Sequence, residues 1–181
     1  MKRAVFLDLN GTLVMPLKQE RLSDLTLIGG AGEAIARLSR AEYVCPVVTV
    51  QSRIAKGLFS EGEFRDWFVD FAKLLASFGA VIVGPYICPH RYAEACACKK
   101  PNTLLYEIAA REHRIDLQRS FAIGDSPDDV CAASRFRGKG CLVRTGWSQD
   151  ERVVERAAAY SSFVAETLSE AVTWILASPN S

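Results

Sequence analysis

The sequence predicts an α/β fold in which a parallel sheet is covered by helices on both faces. Short apolar runs alternate along the chain with segments of helical periodicity, and this alternation is typical of parallel sheets. No internal repeat or low-complexity tract interrupts it. The 181 residues suffice for one domain with a sizeable core. We therefore expect one domain over residues 1–178 and a short tail at 179–181.

Short apolar runs bounded by polar or glycine residues predict the strands of this sheet. The runs are Ala4–Leu7, Cys45–Val50, Ala80–Ile87, Phe121–Ile123 and Cys141–Val143. The third run contains Gly84-Pro85, which is expected to interrupt the strand near its end.

Apolar residues at helical spacing predict the covering helices. Ser60 and Glu63 form the pattern of a capping box, which predicts that a helix begins there. The apolar face of that helix would hold Phe64, Trp67, Phe68, Phe71, Leu74, Leu75 and Phe78. The other helices are marked by Ala34, Ile35 and Leu38, by Leu104, Leu105 and Ile108, and by Leu168, Ala171, Val172, Ile175 and Leu176.

Composition excludes several classes of protein. Apolar residues make up 49% and charged residues 24% of the chain, which is an ordinary globular balance. The net charge of +1 gives no reason to expect nucleic acid or an anionic membrane as a partner. No apolar run reaches the length of a membrane span, and Asp8 ends the first run too early for a signal peptide. We therefore expect a cytoplasmic protein with reduced cysteines; the sequence does not indicate its oligomeric state.

Polar side chains follow three of the predicted strands. Asp8, Thr49 and Asp125 each stand at a carboxyl end, where ligands of parallel α/β sheets bind. A carboxylate there can attack phosphorus, and a divalent cation can offset the repulsion between the two anions. Magnesium prefers hard oxygen ligands, so Asp8 and Asp125 predict a Mg²⁺ site beside a phosphate ester.

These residues resemble the motifs of the haloacid dehalogenase superfamily. The segment Asp8-Leu9-Asn10-Gly11-Thr12 resembles the first motif, Val48-Thr49 the second, Lys100-Pro101 the third and Gly124–Asp129 the fourth. Residues 48–57 also resemble the segment after the second strand of D,D-heptose 1,7-bisphosphate phosphatases and histidinol phosphatases.

The resemblance implies a three-layer α/β/α Rossmann-like fold without a large cap domain and an HAD-like phosphatase activity. It implies that Asp8 is the nucleophile, that Thr49 and Lys100 bind phosphate, and that Mg²⁺ is held by Asp8, Asp125 and the backbone carbonyl of Asn10. Gln51, Ser52 and Lys99 are candidate contacts to the rest of the substrate, and surface exposure without contact is the alternative for each. Asp128 and Asp129 are read mainly as favourable charges at a helix start, with support of the metal as the alternative.

A second metal site is predicted in the loop before Lys99 and Lys100. Cys88, His90, Cys96 and Cys98 supply three thiolates and an imidazole, a closed tetrahedral set for structural Zn²⁺, and their spacing resembles the zinc loop of the same branch. The alternatives are a reduced cysteine cluster or a Cys96–Cys98 disulfide. Separately, we expect Cys45, Cys131 and Cys141 to be core residues, and His113 to be solvated.

Asn10 departs from the family pattern, which has an aspartate two residues after the nucleophile. An amide cannot transfer a proton at neutral pH, and loss of general acid–base help costs about 10² to 10⁴-fold in rate. Asn10 is an engineered change, a natural feature of a slow enzyme whose substrate has a good leaving group, or the mark of a binding protein. Leu9, Val50 and Ser126 also replace the usual arginine, asparagine and lysine of heptose bisphosphate phosphatases.

The leading hypothesis is therefore a magnesium-dependent phosphomonoesterase with structural zinc, acting on a small phosphorylated metabolite such as a sugar phosphate or bisphosphate. The second hypothesis is a catalytically weak or silent module that binds a phosphorylated ligand. A phosphotransferase is a third, but the sequence indicates no acceptor.

Overall fold

The computed structural model describes residues 1–178, so the predicted tail at 179–181 lies outside the described residues. The chain begins with strand β1 (Val5–Leu7) and a small antiparallel hairpin, β2 (Val14–Met15) and β3 (Thr26–Leu27). Helix α1 (Ala31–Arg40), strand β4 (Pro46–Val50), the single turn α2 (Ser52–Ala55), helix α3 (Glu61–Ala76) and strand β5 (Val83–Cys88) follow.

The second half of the chain repeats the alternation of helix and strand. It contains helix α4 (Leu104–His113), strand β6 (Phe121–Gly124), helix α5 (Pro127–Arg135), strand β7 (Lys139–Val143), helix α6 (Glu151–Ala157), strand β8 (Ser161–Ala165) and helix α7 (Leu168–Ala177). Among residues 1–178, no helix is both long enough and apolar enough to cross a membrane.

One parallel sheet organises the described chain. Its six strands lie in the order β5-β4-β1-β6-β7-β8, and every neighbouring pair is parallel. From β1, the sheet first extends to one side through β4 and β5. The chain then crosses back, and β6, β7 and β8 extend the sheet on the other side of β1. The point of reversal lies between β1 and β6, where open α/β sheets bind their ligands.

Alternating side chains of β1 divide the core between the two faces of the sheet. Val5 and Leu7 pack in one apolar cluster with residues of α1, α3 and α7, while Phe6 packs in a second cluster with residues of α4 and α5. Successive side chains of a strand point to opposite faces, so both faces are covered by helices. The predicted three-layer α/β/α fold is confirmed, and the segments after β1 and β4 are too short to form a large cap domain.

The strand predicted at Ala80–Ile87 begins at Val83 and continues to Cys88 as β5. Gly84-Pro85 lies inside it and marks an irregularity, because the register with β4 shifts between Val83 and Tyr86. The predicted apolar face of α3 was wrong at two positions. Leu74 and Phe78, predicted on the apolar face of α3, are 48% and 39% exposed. The capping box is present: the Ser60 Oγ accepts from the Glu63 N–H at 3.1 Å, and the Glu63 carboxylate accepts from the Ser60 N–H at 2.7 Å.

Candidate active site

Asp8 and Asp125 lie together at the carboxyl edge of the sheet. Asp8 follows β1 and Asp125 follows β6, and these strands are paired so that Leu7 is opposite Ile123. The Asp8 N–H also donates to the Ile123 carbonyl at 2.9 Å, which fixes the two strand ends side by side. Carboxylate oxygens of Asp8, Asp125 and Asp129 all lie within 4.8 Å of one another.

Lys100 places a buried positive charge in this cluster. Its Nζ donates to Asp8 Oδ1 at 2.5 Å and to Asp129 Oδ1 at 2.6 Å, and the residue is only 6% exposed. Burial opposes the charge on Lys100, but the charges of Asp129 and Asp8 outweigh that effect and hold its pKa well above the usual value. Lys100 is therefore a fixed ammonium beside the oxygens of Asp8.

Asp129 belongs to the site as well as to the start of α5. Its Oδ2 accepts from the Ser126 N–H at 3.2 Å and the Ser126 Oγ–H at 2.6 Å, which closes a capping box. Its other oxygen accepts from Lys100, and the residue is 2% exposed. The main interpretation from the sequence, that the charge of Asp129 only stabilises the helix start, was incomplete. Lys100 is distant in sequence, so the local pattern around Asp129 could not show that its carboxylate also binds Lys100.

Burial stabilises the protonated forms of two carboxylates of the cluster, Asp8 and Asp125. Burial raises the pKa of Asp8 to about 6, and the charge of Lys100 limits the rise. Burial and the charges of Asp8 and Asp129 raise the pKa of Asp125 to about 8, although the Trp147 N–H donates to it at 2.6 Å. When the three carboxylates are ionised, the site therefore carries more negative charge than Lys100 neutralises.

The surroundings of Asp125 fit a magnesium site. Gly11 and Gly146 approach its carboxylate so closely that a Cβ atom on either residue would collide with Oδ2. Gly11 also has a φ of 86°, a conformation that favours glycine. Hard oxygen donors gathered in a tight cradle are the donor set that Mg²⁺ prefers. The residues present therefore fit the ion predicted from the sequence.

Residues of and after β4 form the wall beside Asp8. Thr49 is 1% exposed, and its Oγ1 accepts from Gln51 Nε2 at 3.0 Å, which leaves the hydroxyl proton available to a ligand. Gln51 is fully buried and donates to Asn10 Oδ1 at 2.8 Å. The alternative of an exposed Gln51 is thus wrong: this side chain supports Asn10. Ser52 is half-buried and lines the cleft. Its contact with substrate stays a prediction.

The four predicted zinc ligands converge in the loop after β5. The Sγ atoms of Cys88 and Cys96 are 3.6 Å apart and those of Cys96 and Cys98 are 3.7 Å apart. His90 Nδ1 lies 3.7 Å from Cys88 Sγ and 3.2 Å from Cys98 Sγ. A tetrahedron with Zn–S bonds of about 2.3 Å has sulfur–sulfur edges of about 3.8 Å. The cluster therefore fits a tetrahedral ion, and the cysteines are free thiols.

Cationic side chains surround the opening of the cleft, which has a volume of about 560 Å³. Besides Lys100, its lining includes Lys18, Arg53, Lys56, Lys99 and Arg156. Lys99 Nζ donates to backbone carbonyls of its own loop, at 2.7 Å to Glu94 O and also to Tyr92 O, and its contact with substrate stays a prediction. Lys18 Nζ lies 5.4 Å from the centroid of the Trp147 ring across the cleft mouth. A ligand here would meet positive charge at the rim and carboxylates at the base.

Comparisons with known proteins agree on one family. The HAD-hydrolase-like family model matches residues 97–171. The chain is 35% identical to a D-glycero-D-manno-heptose-1,7-bisphosphate 7-phosphatase of Thermosynechococcus vestitus, over 95% of this chain and 94% of that protein. It is 36% identical to the D-glycero-beta-D-manno-heptose-1,7-bisphosphate 7-phosphatase of Haemophilus ducreyi, over 80% of this chain and 85% of that protein.

A solved structure shows the same fold. The D,D-heptose 1,7-bisphosphate phosphatase from B. bronchiseptica, complexed with magnesium and phosphate, superposes with a TM-score of 0.86 and 28% identity. The alignment covers 97% of this chain and 98% of that one. The chain belongs to the haloacid dehalogenase superfamily. It falls in the branch of the heptose bisphosphate phosphatases, and the predicted family, fold and enzyme class of an HAD-like phosphatase are confirmed.

Contacts between distant segments in this HAD-like phosphatase explain what the sequence reading missed. His113 is bonded rather than simply solvated: its Nε2 lies 3.0 Å from the Tyr86 hydroxyl, which in turn donates to Glu112 at 2.6 Å. Two further residues lie outside the four motifs: Trp147, whose N–H donates to Asp125, and Gln19, whose side chain accepts from Asn10. Neither carries a local signal that could have identified it.

Proposed function

We propose that this HAD-like phosphatase is a magnesium-dependent phosphomonoesterase that acts through an aspartyl-phosphate on a small phosphorylated sugar. The observation that carries the proposal is the Lys100 ammonium fixed on Asp8 beside the Asp125 and Asp129 carboxylates. Asp8, Asp125 and the backbone carbonyl of Asn10 would hold Mg²⁺. When bound, the ion offsets the repulsion between a phosphate and these carboxylates.

The protein residues divide the chemistry between them. A carboxylate oxygen of Asp8 attacks phosphorus, the bond from phosphorus to the ester oxygen breaks, and the sugar alcohol leaves. Lys100 and the Thr49 hydroxyl donate to the phosphoryl oxygens, whose charge is distributed in the transition state. Water then attacks the aspartyl-phosphate, releases inorganic phosphate and restores Asp8.

Asn10 makes both proton transfers slow. The departing alkoxide needs a proton and the attacking water must lose one, but an amide supplies neither function. Water must carry both protons, so esters with acidic leaving groups are favoured. We therefore expect low turnover of alkyl phosphates and faster turnover of an activated aryl phosphate.

The cationic rim supports a substrate with a second anionic group. Lys18, Lys56 and Arg156 line the cleft outside the carboxylate cluster, and a phosphate held at Asp8 leaves them to face the rest of the ligand. A sugar bisphosphate fits this distribution of charge, and the relatives are named for such a substrate. Val50 and Ser126 line the cleft and differ from the usual residues of those enzymes, so a sugar other than heptose is compatible with the site. Leu9 also differs, but it is fully buried.

We propose that the cluster of Cys88, His90, Cys96 and Cys98 binds structural zinc. Four protein ligands leave no open position on the ion. The following residues, Lys99 and Lys100, continue directly from the last ligand. The metal would therefore fix the segment that delivers Lys100 to Asp8.

The test is a steady-state screen of sugar phosphates, sugar bisphosphates and an aryl phosphate, with wild type and Asn10→Asp, in Mg²⁺ and in EDTA. We expect Mg²⁺-dependent turnover, with kcat raised about 10²-fold or more by Asn10→Asp. If neither protein turns over any ester but phosphorylated ligands still bind, the phosphatase proposal fails in favour of a binding module. Asn10 is the observation that favours this second function.

A further inference from the structure

The side-chain amide of Asn10 is held at both ends by buried glutamines. Gln51 Nε2 donates to Asn10 Oδ1 at 2.8 Å, and Asn10 Nδ2 donates to Gln19 Oε1 at 3.2 Å. Gln51 is fully buried and Gln19 is 2% exposed. The orientation of residue 10 is therefore set by its neighbours, and one of them lies in a loop outside the four motifs.

The loop that carries Gln19 is fastened to the segment that carries Gln51. Arg53 Nε donates to the Gln19 carbonyl at 2.7 Å, and Arg53 Nη2 donates to the Leu17 carbonyl at 2.8 Å. Arg53 follows Gln51 by two positions, at the start of α2. One short stretch of chain thus places both glutamines against Asn10.

Gln19 has a hydrogen-bond donor that it does not use. Its Nε2 is buried and has no partner among residues 1–178. Turning the amide by half a revolution exchanges Oε1 and Nε2 at nearly the same positions. Gln19 can therefore accept a hydrogen bond from an amide at position 10 or donate one to a carboxylate there.

We propose that Gln19 is a positioning residue that acts through residue 10. Its Oε1 accepts from Nδ2 and so fixes the Asn10 amide, and the Gln19 amide turns to donate when residue 10 is an aspartate. This inference rests on the proposed phosphatase function for its kinetic consequence, because residue 10 stands at the acid–base position. It adds a requirement outside the recognised motifs: the side chain at 19 must match the side chain at 10.

The test is the isosteric change Gln19→Glu, made both in wild type and in Asn10→Asp. In the wild-type background, a carboxylate at position 19 is buried and costs stability, but it keeps Asn10 Nδ2 as its donor, so kcat should fall by less than about fivefold. In the Asn10→Asp background, two carboxylates face each other without a donor. We expect kcat to fall about tenfold or more below the Asn10→Asp variant, with a smaller change in KM.

Thermal denaturation of the same four proteins gives a measurement that does not depend on turnover. We expect the double variant to lose about 4 °C or more beyond the sum of the two single changes. The control is Gln118→Glu, the same chemical change at an exposed position, which should have equal small effects in both backgrounds.

Equal fold-changes of kcat and additive Tm shifts in the two backgrounds would show that Gln19 has only a structural role and would overturn the proposal. If no protein turns over any ester, the proposed function fails separately. In that case non-additive Tm losses still support the coupling between residues 10 and 19, and additive losses still overturn it.

Discussion

Lys100 determines how much charge the site can accept. The carboxylates of Asp8, Asp125 and Asp129 and the single ammonium of Lys100 leave two negative charges uncompensated when all four groups are ionised. A divalent cation would neutralise that remainder. Without Lys100 the cluster would carry an additional uncompensated charge in a buried place, where charges are costly.

We predict that Lys100→Met impairs both activity and folding. Two buried carboxylates lose their partner, so the free energy of unfolding should fall by about 3–5 kcal/mol. The loss of charge at the phosphoryl oxygens should lower kcat about 10²-fold or more. Urea denaturation and steady-state kinetics measure the two effects. The control is Lys73→Met, which breaks an exposed pair whose lysine side chain is 72% exposed and should change stability by less than about 1 kcal/mol. Equal losses of stability for the two variants would contradict the role given to Lys100.

Asp129 offers a separate test of the site, because its charge can be removed without losing its cap. In Asp129→Asn, the remaining carbonyl oxygen can still accept from Ser126, but the charge that holds Lys100 is gone. We expect activity to fall about 10- to 100-fold, as for residues that support a metal ligand. The neighbouring Asp128→Asn, where no bond to Lys100 exists, should have a smaller effect. If the two changes are equivalent, Asp129 acts only at the start of α5.

Elements that are both buried and continuous in the sequence were predictable. β1, β4, β6 and β7 lie inside or next to the predicted runs, because strands buried on both faces read as unbroken apolar segments. The edge strand β8 and the hairpin β2–β3 were missed. The first four positions of β8 alternate between half-buried and exposed, and β2 and β3 have two residues each, so neither β8 nor the hairpin forms an apolar run long enough to detect.

The loop between β5 and α4 carries the last three of the four predicted zinc ligands, so substitutions in it test whether a metal orders this loop. We predict that Cys98→Ser lowers bound zinc from about one per chain to near zero and reduces activity, because the loop would no longer fix Lys100. Zinc content is measured by elemental analysis and stability by thermal denaturation. The control is Cys131→Ser on α5, which lies outside the cluster and should retain full zinc. A Cys98→Ser protein that lacks zinc but keeps full activity would show that zinc is not needed to place Lys100 beside Asp8.

At the scale of the molecule, topology explains both what the sequence revealed and what it concealed. Asp8, Thr49 and Asp125 could be placed at one edge because parallel strands bring their carboxyl ends together. The role of Lys100 came from the family resemblance, and the metal cluster that includes Cys98 came from its set of ligands together with that resemblance. Gln19 and Trp147 could not be found, because each reaches the site from a loop whose path depends on packing.

Metal binding should stabilise the whole molecule, because an ion at this edge would join segments that are distant in sequence. Asp8 and Asp125 follow the two strands between which the order of the sheet reverses, and their mutual repulsion opposes folding when no cation is present. A ligand at 100 times its Kd stabilises the folded state by about 2.7 kcal/mol, which corresponds to a rise in Tm of about 5–10 °C in a chain of this size. We therefore predict a Mg²⁺-dependent rise of that order in wild type and little or none in Asp125→Asn. Asp66→Asn, which removes an exposed carboxylate on α3, should keep the full rise. If Asp125→Asn is stabilised by Mg²⁺ as strongly as wild type, the ion binds elsewhere, and the reversal of the sheet does not create the metal site.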